Sequence, residues 1–109
     1  MRSLPLAFGI VLFTLCSKTV EAKTITENQA EMCHWGAQIA RSAEQSKLSG
    51  KTLFSTRRHF QQRNYSQPWM KKMAIGITEQ TFSSRSRVSP KTVEQTYYQG
   101  CTRHELARK

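Results

Sequence analysis

The chain has 109 residues, a formal net charge of +10 and no aspartate at all. That length accommodates one small domain and not two. The charge turns the molecule away from cationic partners and toward acidic ones: nucleic acid, an anionic membrane or lipopolysaccharide, or an acidic protein.

Residues 1–22, MRSLPLAFGIVLFTLCSKTVEA, read as a secretory signal peptide. Arg2 supplies the positive start, an apolar run extends from Leu4 to Leu15, and Val20 and Ala22 place small residues before a cleavage point. Cleavage after Ala22 leaves a chain from Lys23 to Lys109 and a periplasmic or secreted location. The apolar run falls short of the roughly 18 residues that a membrane-spanning helix needs, so the mature chain is expected to carry no transmembrane segment. Cys16 follows Leu15, where lipid attachment would call for a small residue. Removing Arg2, Lys18 and Glu21 with the leader leaves fifteen basic and six acidic residues.

With Cys16 gone, Cys33 and Cys101 remain, and in an oxidising compartment they have one possible pairing. A small domain with a marginal core gains much from such a staple.

From Thr26 to about Leu48 the pattern is helical. Met32, Cys33, Trp35, Gly36, Ala37, Ile39, Ala40 and Ala43 share one broad face, and His34, Gln38, Arg41, Ser42 and Gln45 lie opposite. Ser49-Gly50 ends it. A shorter helix is expected over Lys51 to Arg63, with Leu53, Phe54, Arg57 and Phe60 inward. Ser66 and Pro68 then signal a third start, Ser66 as cap. Pro68 to Phe82 is apolar on two sides, which predicts a central place in a bundle. Ser83 to Arg87 form a polar, basic loop. Ser89-Pro90 open the last helix, in which Val93, Tyr97, Gly100, Cys101, His104 and Ala107 fall in one sector. Disulfides need Cα atoms about 5.5–6 Å apart, closer than packed helix axes, which lie about 8–10 Å apart. Gly36, Ala37 and Gly100 are small enough to permit that approach. The expected fold is therefore all-α, a bundle of three or four helices with one disulfide joining the first and last.

The candidate chemistry is sparse. Cys33-His34 and Cys101-x-x-His104 offer four zinc ligand types, but His34 turns to the polar side and the spacing fits no standard zinc pattern, so no metal and no cofactor are expected. No aspartate is present to orient a histidine, and no nucleophile-elbow pattern occurs. His34, His59 and His104 remain as acid–base candidates beside lysines, with His104 expected as a half-buried packing residue that donates to a backbone carbonyl. The reading is of a protein that is not an enzyme. Basic residues are spread over every element without a nucleic-acid motif, so no specific nucleic-acid partner is expected. Arg57, Arg58, Arg63, Lys71 and Lys72 form the candidate basic binding surface. Trp69, Met70 and Met73 read either as core or as the lining of a peptide groove, since methionine repacks around varied ligands. Asn64-Tyr65-Ser66 is a glycosylation sequon only in a eukaryotic setting and reads here as a loop.

Across residues 30–101 the sequence resembles a loose group of small exported bacterial proteins. The resemblance rests on Cys33 in an amphipathic first helix, the break at Gly50, the Ser89-Pro90 start, and Tyr97-Tyr98 followed by Cys101. It implies a helical, disulfide-tied fold and brings no catalytic residues. More distantly, the chain is similar to helical, disulfide-containing periplasmic immunity proteins that neutralise secreted toxins. Three functions follow as expectations: a binding or accessory protein of the bacterial envelope whose basic surface meets an acidic protein or anionic envelope component, an immunity-type inhibitor, and an enzyme acting on an anionic substrate.

Overall fold

The computed structural model describes residues 25–108, and the leader and its cleavage site lie outside them. Four helices follow in chain order: α1 (Glu27–Leu48), α2 (Leu53–Gln61), α3 (Pro68–Ser83) and α4 (Pro90–Ala107). The fold is all-α, and a disulfide joins Cys33 of α1 to Cys101 of α4 with Cα atoms 5.6 Å apart. No helix among the described residues is long and apolar enough to cross a membrane.

Three of the four helices begin where a side chain satisfies free backbone N–H groups. Thr26 and Gln29 form a reciprocal capping box on α1, the Thr26 hydroxyl accepting from the Gln29 amide and the Gln29 side chain accepting from the Thr26 amide. Thr52 caps α2 by accepting from the Ser55 amide, so that helix opens at Leu53 rather than Lys51. Ser89 caps α4 in the same way, with Pro90 at the first helical position. Gly50 carries a φ of +88° in the turn after α1, a conformation that residues with a Cβ rarely adopt. The expected cap at Ser66 does not form. Gln67 holds the cap position of α3 without a side-chain bond, and the Ser66 hydroxyl lies 3.5 Å from the Met70 sulfur instead.

The hub is α1, which packs against all three other helices, while α3 sits against α1 and α2 only. The central place expected for α3 therefore belongs to α1. Its small residues explain this: Gly36, Ala37, Ala40 and Ala43 are all buried and admit neighbours on more than one side. At Gly36 an added Cβ would lie 2.7 Å from the Tyr97 ring of α4 and 2.8 Å from the Met73 methyl of α3. Gly100, by contrast, faces open space, so the close approach rests on the α1 residues alone.

Along the α1–α4 seam the tie points run in opposite directions. Gln29 Nε2 donates to Glu105 Oε1 at 3.0 Å, Cys33 joins Cys101, and Arg41 pairs with Glu94 at 2.9 Å. The two helices are thus antiparallel. Trp35 meets Trp69 near the start of α3 and Lys47 meets Thr81 near its end, which makes α3 parallel to α1. The core comprises Ile39, Ala40, Phe60, Ala74 and Ile77, with Trp35, Tyr65, Met73, Val93 and Tyr97 packed around it. Burying a side chain the size of Phe60 contributes about 1.5–3 kcal/mol.

Two side chains occupy positions that differ from the sequence expectation. Phe54 is 63% exposed, and Thr56 takes the inward place one turn before Phe60. At about 100° per residue, Thr56 lies about 40° from Phe60 around the helix and Phe54 about 120° from it, so the face that buries Phe60 takes Thr56 and leaves Phe54 out. In α4, Cys101 fixes the rotation toward α1, so Glu105 one turn later is buried and His104 is exposed. His104 makes no bond to a backbone carbonyl, and Glu105 is satisfied by Gln29 and by Arg108 at 3.4 Å.

Candidate functional site

The acidic residues are largely committed within the fold. Glu44, Glu79, Glu94 and Glu105 pair with Lys47, Arg57, Arg41 and Arg108. Only Glu27 and Glu31, in the first two turns of α1, are left as carboxylates without an ion pair among the described residues. The described residues hold thirteen lysines and arginines, and setting aside those four partners leaves nine with no carboxylate partner. The uncompensated positive surface is therefore a property of the folded domain as well as of its composition.

The five residues of the expected basic surface are distributed rather than gathered. Arg57 reaches across to α3 and pairs with Glu79 at 3.0 Å, which gives it a structural duty. Arg58 is exposed and, with Phe54, Arg57, Gln61 and Gln62, lines a shallow depression of about 390 Å³. Arg63 lies in the connection after α2 with its guanidinium 5.5 Å from the Phe60 ring centre and 5.7 Å from that of Tyr65. Such cation–π contacts favour keeping the guanidinium over the two rings. Lys71 and Lys72 are exposed at the start of α3, and Lys72 lines a second, larger groove.

That groove, about 1180 Å³, opens where the first turns of α1 extend past the start of α3. Its apolar lining comes from Met32, Trp35, Trp69, Met70 and Met73. Trp35 meets Tyr65 and Trp69 edge to face, at ring-centre separations of 6.2 and 5.7 Å. Trp69 remains 42% exposed. The alternatives left open for these residues divide between them: Met73 packs against the core and also lines the groove, while Trp69 and Met70 line its wall. Glu31, Lys72 and Arg108 place charges of both signs around it.

Tyr65 donates to the Phe60 carbonyl at 2.7 Å. Burial raises its pKa above the ordinary phenol value, with Arg63 pulling the other way. Burial also raises Tyr97. The three histidines stand exposed on α1, α2 and α4, and none is hydrogen-bonded to another residue among those described. His34 meets Tyr98 edge to face. No group of three His, Cys, Asp or Glu side chains capable of holding a metal occurs among the described residues. With both cysteines in the disulfide, the Cys-His pairs keep no thiolate to offer.

Sequence reasoning missed Glu44, Lys47 and Glu105. Glu44 is 2% exposed, and Lys47, whose side chain is 10% exposed, sits 3.2 Å from it. The Lys47 ammonium also donates to the carbonyls of Thr81, Ser84 and Ser86 at 2.9–3.1 Å, fastening the end of α3 and the following loop to α1. A signal was present: residue 44 continues the 33, 37, 40 seam of α1 at helical spacing, which made Glu44 an inward carboxylate in need of a cation.

Fold and surface together define a disulfide-clamped, four-helix domain with a basic exterior and one broad apolar groove. No protein-family model, curated protein or solved structure matches the chain.

Proposed function

We propose that the chain is an exported binding or accessory protein of the bacterial envelope, acting by occupancy on an acidic protein or an anionic envelope component. The observation that carries this reading is the asymmetry of charge in the fold: among the described residues, four of the six acidic side chains are held in ion pairs, and nine cations are left without one. A disulfide in so small a domain agrees with export to an oxidising compartment. The test is capture from envelope extract on the immobilised, oxidised protein at low and moderate salt. An acidic component retained at moderate salt supports the reading. Retention that salt removes entirely would mean the charge acts without specificity, and the proposal would fall.

The groove favours a second reading, an immunity-type inhibitor of a secreted toxin. A concave surface lined by two tryptophans and three methionines can accept a protruding segment of another protein. Capture of a secreted toxin, and loss of that capture in a Trp69→Ala variant, would select this reading over the first.

A further inference from the structure

We propose that the end of the bundle where α1 and α3 finish and α4 begins is a docking face for the phosphate headgroups of an anionic lipid bilayer, carried by Lys51, Arg85, Arg87 and Lys91. This rests on the reading of an anionic envelope component as partner; it names that component and a face outside the Arg57–Lys72 set.

The face is assembled around Lys47. Its ammonium donates to the carbonyls of Ser84 and Ser86. The Ser84 and Ser86 hydroxyls lie 3.1 Å from each other, so these two side chains share one side of the segment. Arg85 and Arg87, on either side of Ser86, are both exposed. Lys51 folds back onto the end of α1 through its amide bond to the Ser46 carbonyl. Lys91 lies in the first turn of α4, two residues past the Ser89 cap. All four cations are exposed, and none has a carboxylate partner among the described residues.

The nearby carboxylates are already spent on other cations. Glu44 is buried on Lys47, and Glu94 pairs with Arg41. Neither of the two grooves is lined by any of these four residues, so the face suits an extended partner surface rather than an inserted segment. Val88, 39% exposed between Arg87 and Ser89, adds an apolar side chain that headgroups tolerate. Residues 83–91 contain no aromatic ring on which a nucleic-acid base would stack. Each Lys or Arg held near an anionic membrane raises affinity roughly fivefold.

The experiment is co-sedimentation of the oxidised chain with vesicles of phosphatidylcholine alone and of phosphatidylcholine doped with phosphatidylglycerol. It compares the native chain, Arg85→Gln/Arg87→Gln and Arg58→Gln/Arg63→Gln. Neither Arg85 nor Arg87 makes a side-chain bond among the described residues, so the first double variant leaves the Lys47 contacts in place. Binding is expected to the doped vesicles alone, weakened roughly 25-fold by the Arg85/Arg87 pair and less by the Arg58/Arg63 pair. Inorganic phosphate should compete no better than its ionic strength predicts. Equal binding to neutral vesicles, equal losses in both variants, displacement by free phosphate, or binding of duplex DNA without vesicle binding would each overturn the inference. Vesicle binding absent while an acidic protein is still captured from envelope extract would sink this face and leave the proposed function standing.

Discussion

Breaking the Cys33–Cys101 bond should cost this domain about 4 kcal/mol and loosen α4 before the rest. The figure follows from the sequence separation of 68 residues, for which chain-entropy loss in the unfolded state gives about 4.4 kcal/mol. The structure says where the effect concentrates. Helix α4 packs its backbone against α1 alone, and its one fully buried residue is Glu105, not an apolar side chain. Val93, Tyr97 and Cys101 are only half-buried, so little apolar burial holds α4 in place once the covalent link is gone. The bonds from Arg41 to Glu94 and from Gln29 to Glu105 remain, and an exposed pair of the first kind is worth at most about 1 kcal/mol. The assay is urea denaturation of the oxidised protein and of Cys33→Ala/Cys101→Ala, joined to amide hydrogen exchange. The midpoint should drop sharply, a thermal midpoint should fall by roughly 20 °C, and α4 amides should exchange faster than those of α1 and α3. A loss under about 1 kcal/mol, or uniform acceleration of exchange, would refute the clamp as the principal fastening of α4.

Lys47→Met leaves Glu44 buried without its cation and three carbonyls without a donor, a loss of about 3–5 kcal/mol. Glu44→Gln in the same background should recover part of it, and additive losses in that cycle would mean the two side chains act independently. Gly36→Ala forces the Tyr97 ring and Met73 methyl to move from contacts of 2.7–2.8 Å, which should cost about 1–3 kcal/mol; unchanged stability would show that the seam has slack. For pH, burial favours the neutral phenols of Tyr97 and Tyr65 in the fold, so the unfolded chain ionises first. The stability they contribute is complete below the ordinary value of 10.0 and is lost as pH rises through the higher folded values. Urea midpoints that stay level or rise from neutral pH through about pH 11 would contradict this sign.

Much of the fold could be read from local patterns because this chain announces its helices with caps. Thr26, Gly50 and Ser89-Pro90 mark boundaries that backbone hydrogen bonding then enforces. The inward face of α1 and the disulfide were equally legible, since period and cysteine count each admit one answer. Helix rotation was harder. Hydrophobicity points Phe54 inward, but it lies about 120° around the helix from the buried Phe60, and Thr56, about 40° away, takes the inner place. His104, expected inward, is exposed, and Glu105 is buried in its stead, because the disulfide geometry, not apolar character, sets how α4 turns. The ion pairs of Arg57 and Arg41 join residues 22 and 53 positions apart, which no local period reveals. For the same reason the basic residues could be named in advance, while which of them remain unpaired could not.

The central claim is that uncompensated cations select an acidic partner, and reversing four of them while sparing the ion pairs tests it most directly. The variant is Arg58→Glu/Arg63→Glu/Lys71→Glu/Lys72→Glu, which leaves the Arg57–Glu79 pair intact. Native and reversed proteins, both oxidised and shown to be helical by circular dichroism, would be used side by side to capture components of envelope extract at moderate salt. The account predicts that the native chain retains an acidic component and the reversed chain loses it. Equal retention of the same component by both would contradict the account for this surface and leave recognition to the Lys51, Arg85, Arg87 and Lys91 end or to the tryptophan–methionine groove.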